Sequence, residues 1–389
     1  MDIIVKTFEG LEDVLIAEME ALGFKNIKKL RRAVFFEGEL EDLYKANLYL
    51  RTGLRVLVPV YQFDARNERD FYNKMKRHPW GKYLKLFQTF AINSVVRSKT
   101  FTHSQYMGLK MKDAIVDQFR ERNSNRRPNV DRDDPDVRFS LHIHENKCTV
   151  SIDSSGESLH KRGFRLPGHQ APLNEVLAAG MVLMTGYKGK QQMLDPMCGT
   201  GTLAIEAAMV AMNQAPNLNR KEFGFMKWID YDSFLWNKIV AEAKKKITPI
   251  EVPILASDAS YKAISAANDA VRMAGLEGAV VLSAKEFEDL APPSDEGMLL
   301  FNPPYGKRIE LEDVEEFYGD MGTFIKHHFA GFDAWILMGN LESLKYIGLH
   351  ASKKIPLYNG PLECRFCLYE LFKGKRKDNL ENKSIEEEE

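Results

Sequence analysis

Apolar residues along this chain follow two rhythms. Short continuous or alternating runs bounded by turn residues mark strands, and longer stretches with apolar positions three and four apart mark helices. Over residues 1–63 the order is strand (2–7), helix (11–22), strand (34–37), helix (40–50), strand (54–63). That order predicts a small α+β sandwich with a ferredoxin-like look. A second α/β unit follows over 64–155, with a short helix near 71–75, a strand near 90–96 and a helix over 105–122. Two alternating runs, Val137 to His144 and Lys147 to Asp153, then flank Glu145-Asn146 as a hairpin.

From residue 171 onward strands and helices alternate. Helix 173–184, strand 192–194, helix 203–212, strand 252–256, helix 260–273, strand 279–282, strand 298–301, helix 312–328 and strand 334–338 come in that order. Strands near 350–357 and 363–372 close the region as a hairpin. The order is that of an open α/β sheet, which binds ligands at the carboxyl ends of its strands. An aromatic-rich insertion, Phe223 to Trp236, interrupts it and reads as packing first, a substrate lip second. Residues 156–170 form a basic connector ahead of this domain (171–373), and 374–389 read as a solvated tail.

Two strand ends carry the chemistry. Met298 to Phe301 is an apolar run stopped by Pro303-Pro304, neither of which can donate to a ladder. The strand thus delivers Asn302, a rigid bend and Tyr305. The Asn302 side-chain oxygen and the Pro303 carbonyl can accept the two hydrogens of a planar exocyclic amine, and Tyr305 offers a face for a base. The plainer alternative is an Asn-Pro turn that merely ends a strand.

The other strand end is Leu194-Asp195-Pro196-Met197-Cys198-Gly199-Thr200-Gly201, leading into a helix. Gly199 and Gly201 allow positive φ and close approach of a ligand to backbone N–H groups. With Ala204 they also fit the dinucleotide fingerprint, which expects a ribose-binding acid about 20 residues on. The next strand-end acid is Asp258, 57 positions past Gly201. That spacing is wrong for a nicotinamide cofactor. Asp195, ahead of the glycines, suits a ligand bearing an ammonium group instead.

Composition adds three points. The chain has 389 residues, 44% hydrophobic and 28% charged, as in ordinary globular proteins. No apolar run approaches the roughly 20 residues that span a bilayer, and the first residues do not resemble a signal peptide. Four cysteines suit a reducing, cytoplasmic setting. Cys364 and Cys367 lie three apart on a predicted strand, on opposite faces, so they read as structural. The net charge of −1 hides an asymmetry: residues 51–127 hold 17 Lys/Arg against 6 Asp/Glu, a net of +11. Such an excess is either a footprint for polyanions or a plain solvated surface, and charge alone favours neither. Arg97, Lys99 and Lys110 lie in it, with aromatics between, as phosphate contact and base stacking require. His142 and His144 share a strand face that reads as solvated; no metal is expected.

The motif Asp195 to Gly201 resembles the S-adenosylmethionine-dependent methyltransferases, and Asn302-Pro303-Pro304-Tyr305 resembles their subgroup acting on planar amines. Leu159-His160-Lys161-Arg162-Gly163-Phe164-Arg165 is similar to a segment of THUMP-containing ribosomal RNA guanine methyltransferases. The resemblance implies a Rossmann-like class I methyltransferase domain preceded by ferredoxin-like and THUMP α+β domains. It implies S-adenosylmethionine held by Asp195, Gly199, Thr200, Gly201, Asp258 and Glu286, the last usually Asp in the family. It implies Asn302, Pro303 and Tyr305 as catalytic residues. Arg97, Lys99, Lys110, His160, Lys161, Arg162 and Arg165 are then candidates for RNA contact. The expected activity is methylation of guanine N2 in 23S ribosomal RNA or a large-subunit precursor by a monomer or weak oligomer. Transfer RNA guanine is an alternative target, as is a non-catalytic role in RNA binding or ribosome assembly. DNA adenine or protein glutamine methylation would not call for the basic N-terminal half.

Overall fold

The computed structural model describes residues 1–165, 173–304 and 314–372. The chain divides into two compact units, one made of residues 1–7, 15–159 and 220–242, the other of 8–14, 160–219 and 243–389.

In chain order the first elements are β1 (Asp2–Lys6), α1 (Glu12–Ala21), β2 (Lys25–Leu30), β3 (Ala33–Glu37), α2 (Leu40–Tyr49) and β4 (Arg55–Asp64). After them come α3 (Glu68–Arg77), β5 (Thr89–Arg97), α4 (Ser104–Arg122), β6 (Asn129–Val130), β7 (Val137–His144) and β8 (Lys147–Asp153). These strands form one sheet in the order β2-β3-β1-β4-β8-β7-β5-β6. The antiparallel pairing of β4 with β8 therefore joins the ferredoxin-like region to the region after it. Pro59 sits inside β4, at the point where the β4–β8 register shifts, which is where an internal strand tolerates proline.

Strand β2 is absent from the hydrophobic pattern. Its sequence, KNIKKL, is almost wholly exposed at the sheet edge. Lysines there guard the edge against pairing with another chain, and they erase the apolar alternation that would announce a strand. The hairpin of β7 and β8 forms as expected, with Glu145 at φ 50 in its turn. His142 and His144 are on its exposed face.

The aromatic insertion belongs to the first unit. Tyr44 of α2 packs on Phe225 at 4.4 Å between ring centroids and edge-on to Trp236 at 5.8 Å. Phe223 and Phe225 stack at 5.3 Å. The Asp232 N–H donates to the Tyr44 hydroxyl at 3.0 Å. Phe223, Phe225 and Trp236 are thus core, whereas Phe234 is exposed. They also hold the start of α7 (Ser233–Lys245), a helix that the aromatic density of the sequence conceals.

In the second unit lie α5 (Glu175–Met184), β9 (Met193–Asp195), α6 (Thr202–Ala211), β10 (Ile254–Asp258), α8 (Tyr261–Ala274) and β11 (Val280–Ala284). It continues with β12 (Gly297–Phe301), α9 (Val314–His328), β13 (Phe332–Met338), β14 (Lys353–Asn359) and β15 (Leu362–Glu370). The sheet order is β11-β10-β9-β12-β13-β15-β14, parallel except for β15, which runs antiparallel to both its neighbours. Strand β12 is buried on both faces, which explains its unbroken apolar run. Cys364 and Cys367 are both fully buried in β15.

The chain starts this sheet at β9, works outward to β11, then returns to β12 on the other side of β9. The switch of direction therefore falls between β9 and β12, where an open α/β sheet has its ligand crevice. No helix among the described residues is long and apolar enough to cross a membrane.

Phe225, fully buried among these rings, anchors the insertion. Phe225→Ala is expected to destabilise the protein by about 3–5 kcal/mol in urea denaturation. A loss below about 1 kcal/mol would show that the insertion is not part of the core.

Candidate functional site

Register places the two strand ends together. Leu299 of β12 pairs with Leu194 of β9, so Asp195 and Asn302 emerge from neighbouring strands. Asn302 lies two residues beyond the level of Asp195, which is roughly 7 Å along the strands and one spacing of about 4.8 Å across. A cavity of about 620 Å³ opens there, lined among others by Asp195, Cys198, Gly199, Thr200, Asp258, Glu286, Asn302 and Pro304.

Two of these groups lack what they need. Asp195 is 1% exposed, and neither carboxylate oxygen has a hydrogen-bond partner of regular geometry. Burial pushes its carboxyl well above the usual carboxylate range; the Met197 backbone N–H offsets this in part, and the charge of Asp258 adds to it. The Asn302 Oδ1 atom is also buried without a donor among the described residues. A buried acceptor without a partner costs about 1–3 kcal/mol, and a charged one more. Both point to a ligand that brings N–H groups.

The glycine turn is braced rather than loose. Asp258 accepts the Gly199 N–H on one oxygen at 2.9 Å and the Ser260 N–H on the other at 2.9 Å. Its remaining lone pairs stay available for hydroxyl donors. The Cys198 N–H donates to the Ser257 carbonyl at 2.8 Å, tying the turn to β10 a second time. Gly199 has φ 53, and a Cβ there would meet no protein atom within 4 Å. Gly201 has φ 76, and its Cβ would meet Ala267 of α8 at 3.3 Å. Gly199 thus leaves ligand space, whereas Gly201 permits the helix contact. Cys198 is buried, and burial pushes its thiol up, so it is a packing residue and no nucleophile.

The other expected residues divide. Thr200 lines the cavity, as does the exposed Glu286. Pro303 is buried behind the bend. Tyr305 lies outside the described residues. Phe317 of α9 and Phe287 also line the cavity, though nothing in the spacing of the sequence marks them.

The basic candidates also divide. Arg97 and Lys99 are exposed at the end of β5. Lys110 donates to the Glu68 carboxylate at 3.1 Å and the Tyr106 hydroxyl at 2.9 Å, leaving its side chain one-quarter exposed. His160 is half-buried and Lys161 exposed. Arg162 corrects the expectation of RNA contact: it is 1% exposed, with Nε donating to Glu206 at 3.1 Å and a further bond to Asn217 at 3.4 Å. The reason is α6, buried almost all round, whose Glu206 needs a cation. Arg165, about one-third exposed, faces Glu175 at 3.2 Å and donates to the Leu173 carbonyl at 2.8 Å. Among the described residues no group of three or more His, Cys, Asp or Glu could hold a metal ion.

With this geometry in view, three family models match. The RMKL-like methyltransferase domain matches residues 162–367, more than half of the chain. The chain belongs to the RMKL-like methyltransferase family. A THUMP domain matches residues 65–153 and an RlmL ferredoxin-like domain residues 2–57. Ribosomal RNA large subunit methyltransferase K/L of Syntrophotalea carbinolica is 37% identical over 95% of this chain and 54% of its own length. The chain spans about half the length of most of the curated relatives it matches. A chain of Synechocystis sp., named provisionally as an RNA methyltransferase, is 37% identical over 93% of this chain and 95% of its own length. A solved structure, a provisionally assigned methyltransferase complexed with SAH, has a TM-score of 0.86 at 27% identity, over 96% of this chain and 99% of that one.

The wall beside the cavity is pH-sensitive. Glu175 is 1% exposed, and burial raises its carboxyl from 4.5 to about 7 despite the nearby Arg165. The folded state therefore binds this proton more tightly than the unfolded state, and stability falls as pH rises from 4.5 to about 7. Glu175→Gln is expected to remove that slope, a change on the order of 2–3 kcal/mol across the window in denaturation at several pH values. Identical slopes for both proteins would contradict it.

Proposed function

We propose that the chain is an S-adenosylmethionine-dependent methyltransferase acting on the exocyclic N2 amine of a guanine in 23S ribosomal RNA. The observation that carries this reading is the pair of donor-starved groups, Asp195 and Asn302, at adjacent strand ends of one cavity. Each asks for N–H groups, and the family chemistry joins a ligand with an ammonium group to a substrate with an aryl amine.

The residues fit the cofactor. Asp195 would take its amino group, the space above Gly199 and Thr200 its approach to the turn, and Asp258 its ribose hydroxyls. Glu286 stands at the rim for the adenine. When bound, the cofactor supplies an electrophilic methyl group on a sulfonium.

The chain's own residues then position the substrate. Asn302 Oδ1 and the Pro303 carbonyl accept the two amine hydrogens, which aims the nitrogen lone pair at the methyl group. The same bonds oppose drift of that lone pair into the ring; as the N–C bond formed and the methyl–sulfur bond broke, the thioether would leave and the extra proton on nitrogen would pass to solvent. Tyr305 stacks on the extruded base. Holding reactants in line accounts for much of such a rate, so no nucleophilic side chain is needed.

Arg97, Lys99, Lys110, His160, Lys161 and Arg165 supply phosphate contacts, with Arg97 and Lys99 the most accessible. The enzyme works in the cytoplasm as a monomer or weak oligomer. The THUMP match and the names of the relatives support RNA as substrate, and ribosomal RNA over transfer RNA.

Mass-spectrometric mapping of RNA from a deletion strain tests the substrate. Loss of one N2-methylguanosine from 23S rRNA is expected; loss from transfer RNA alone would redirect the assignment. Asn302→Ala should lower methyl transfer by about a hundredfold or more while cofactor affinity holds. Asp195→Asn should abolish cofactor binding in calorimetry yet leave the free protein as stable or stabler, because a buried carboxyl that lacks a partner is replaced by a group that never ionises. Full transfer by Asn302→Ala would refute the mechanism.

A further inference from the structure

The Asn302-Pro303-Pro304 bend has a structural difficulty. It must hold two acceptors at a fixed angle, yet neither proline has an N–H with which to anchor itself. Two fixed φ angles restrict the bend, but ψ at Pro303 can still swing the Pro303 carbonyl and carry Pro304 with it. Past the Asn302 N–H, a tether must come through a carbonyl or the Asn302 side chain, and the latter is needed for substrate.

Helix α9 supplies such a tether. Tyr318, fully buried in the core with Phe301, Met321 and Ile325, donates its hydroxyl to the Pro304 carbonyl at 3.0 Å. The donor is mounted on a helix fifteen residues long whose inner face is locked in the apolar core. Its neighbour Phe317 meets the Tyr318 ring edge-on at 5.2 Å and lines the cavity beside Asn302 and Pro304. One turn of α9 thus both pins the bend and walls the space the amine would enter.

We infer that Tyr318 is a positioning residue: through the Pro304 carbonyl it sets the angle at which Asn302 and Pro303 present the substrate amine to the methyl donor. This rests on the methyltransferase reading above. Tyr318 touches neither cofactor nor substrate, and it carries no proton in the reaction. Its hydroxyl acts by restricting the bend, and a misplacement well under 1 Å at the reacting nitrogen is enough to slow transfer.

Tyr318→Phe removes the hydroxyl and keeps the ring in the core. The expected result is a fall in kcat of about ten- to a hundredfold, with KM and calorimetric affinity for S-adenosylmethionine unchanged. A merely structural role would instead lower the unfolding midpoint and leave kcat of the folded protein intact. A second reading is independent of turnover. In protein labelled with 15N at asparagine, the Asn302 side-chain amide, assigned through Asn302→Ala, should give one sharp pair in the parent and a broadened or doubled pair in Tyr318→Phe. A variant with parental kcat and a single Asn302 signal would overturn the inference, as would a loss of cofactor affinity matching the loss of rate. If the parent methylates no RNA but the Asn302 signal still splits, the proposed function fails and the tether stands.

Discussion

A parallel sheet buries its strands on both faces and frees its polar groups only at the strand ends, and this protein leaves two of those groups without donors. Asp195 closes β9 as a carboxylate shut off from water, and Asn302 follows β12 with its oxygen buried. Both arrangements lower the stability of the free protein. The surrounding core maintains them: Leu194, Leu299 and Phe301 belong to one apolar cluster that fixes where the strands end. The remaining features of the site follow from this constraint. Asp258 braces the glycine turn beside Asp195, and neither proline after Asn302 can donate to a ladder.

The paired strand ends explain why the neighbouring charges are arranged as they are. The connector at 160–165 is basic, and a surface role for all of it is the simplest expectation. Arg162 turns inward because α6 carries Glu206 on a face with no access to water. Arg165 is shared with Glu175, whose carboxyl burial holds near neutrality. Two of the connector's three cations, Arg162 and Arg165, therefore pair with acids of the methyltransferase unit, and Lys161 stays exposed.

Much of this was legible in the sequence, and for identifiable reasons. The run Met298 to Phe301 ending in two prolines could only be a central strand with an abrupt stop, and the glycine turn after Leu194-Asp195 announced a strand-to-helix junction. What stayed hidden had no periodic signal. Strand β2 carries lysines where an interior strand would carry apolar residues. The aromatics of 223–236 announced packing, but they masked a helix and gave no sign that Tyr44 is their partner. Glu206 lies within an apolar helix and needs a buried cation, yet sequence spacing does not say which basic residue answers it. The tether from Tyr318 is invisible for the same reason, since a buried tyrosine on an amphipathic helix looks like any other core residue until its hydroxyl is seen against Pro304.

The most direct test is a crystal structure of this chain with S-adenosylhomocysteine and guanosine. The account predicts the ligand's amino group within hydrogen-bond distance of the Asp195 carboxylate and its sulfur directed toward Asn302, with the guanine amine against Asn302 Oδ1. A ligand seated elsewhere, or an Asp195 carboxylate still without a donor in the complex, would contradict it.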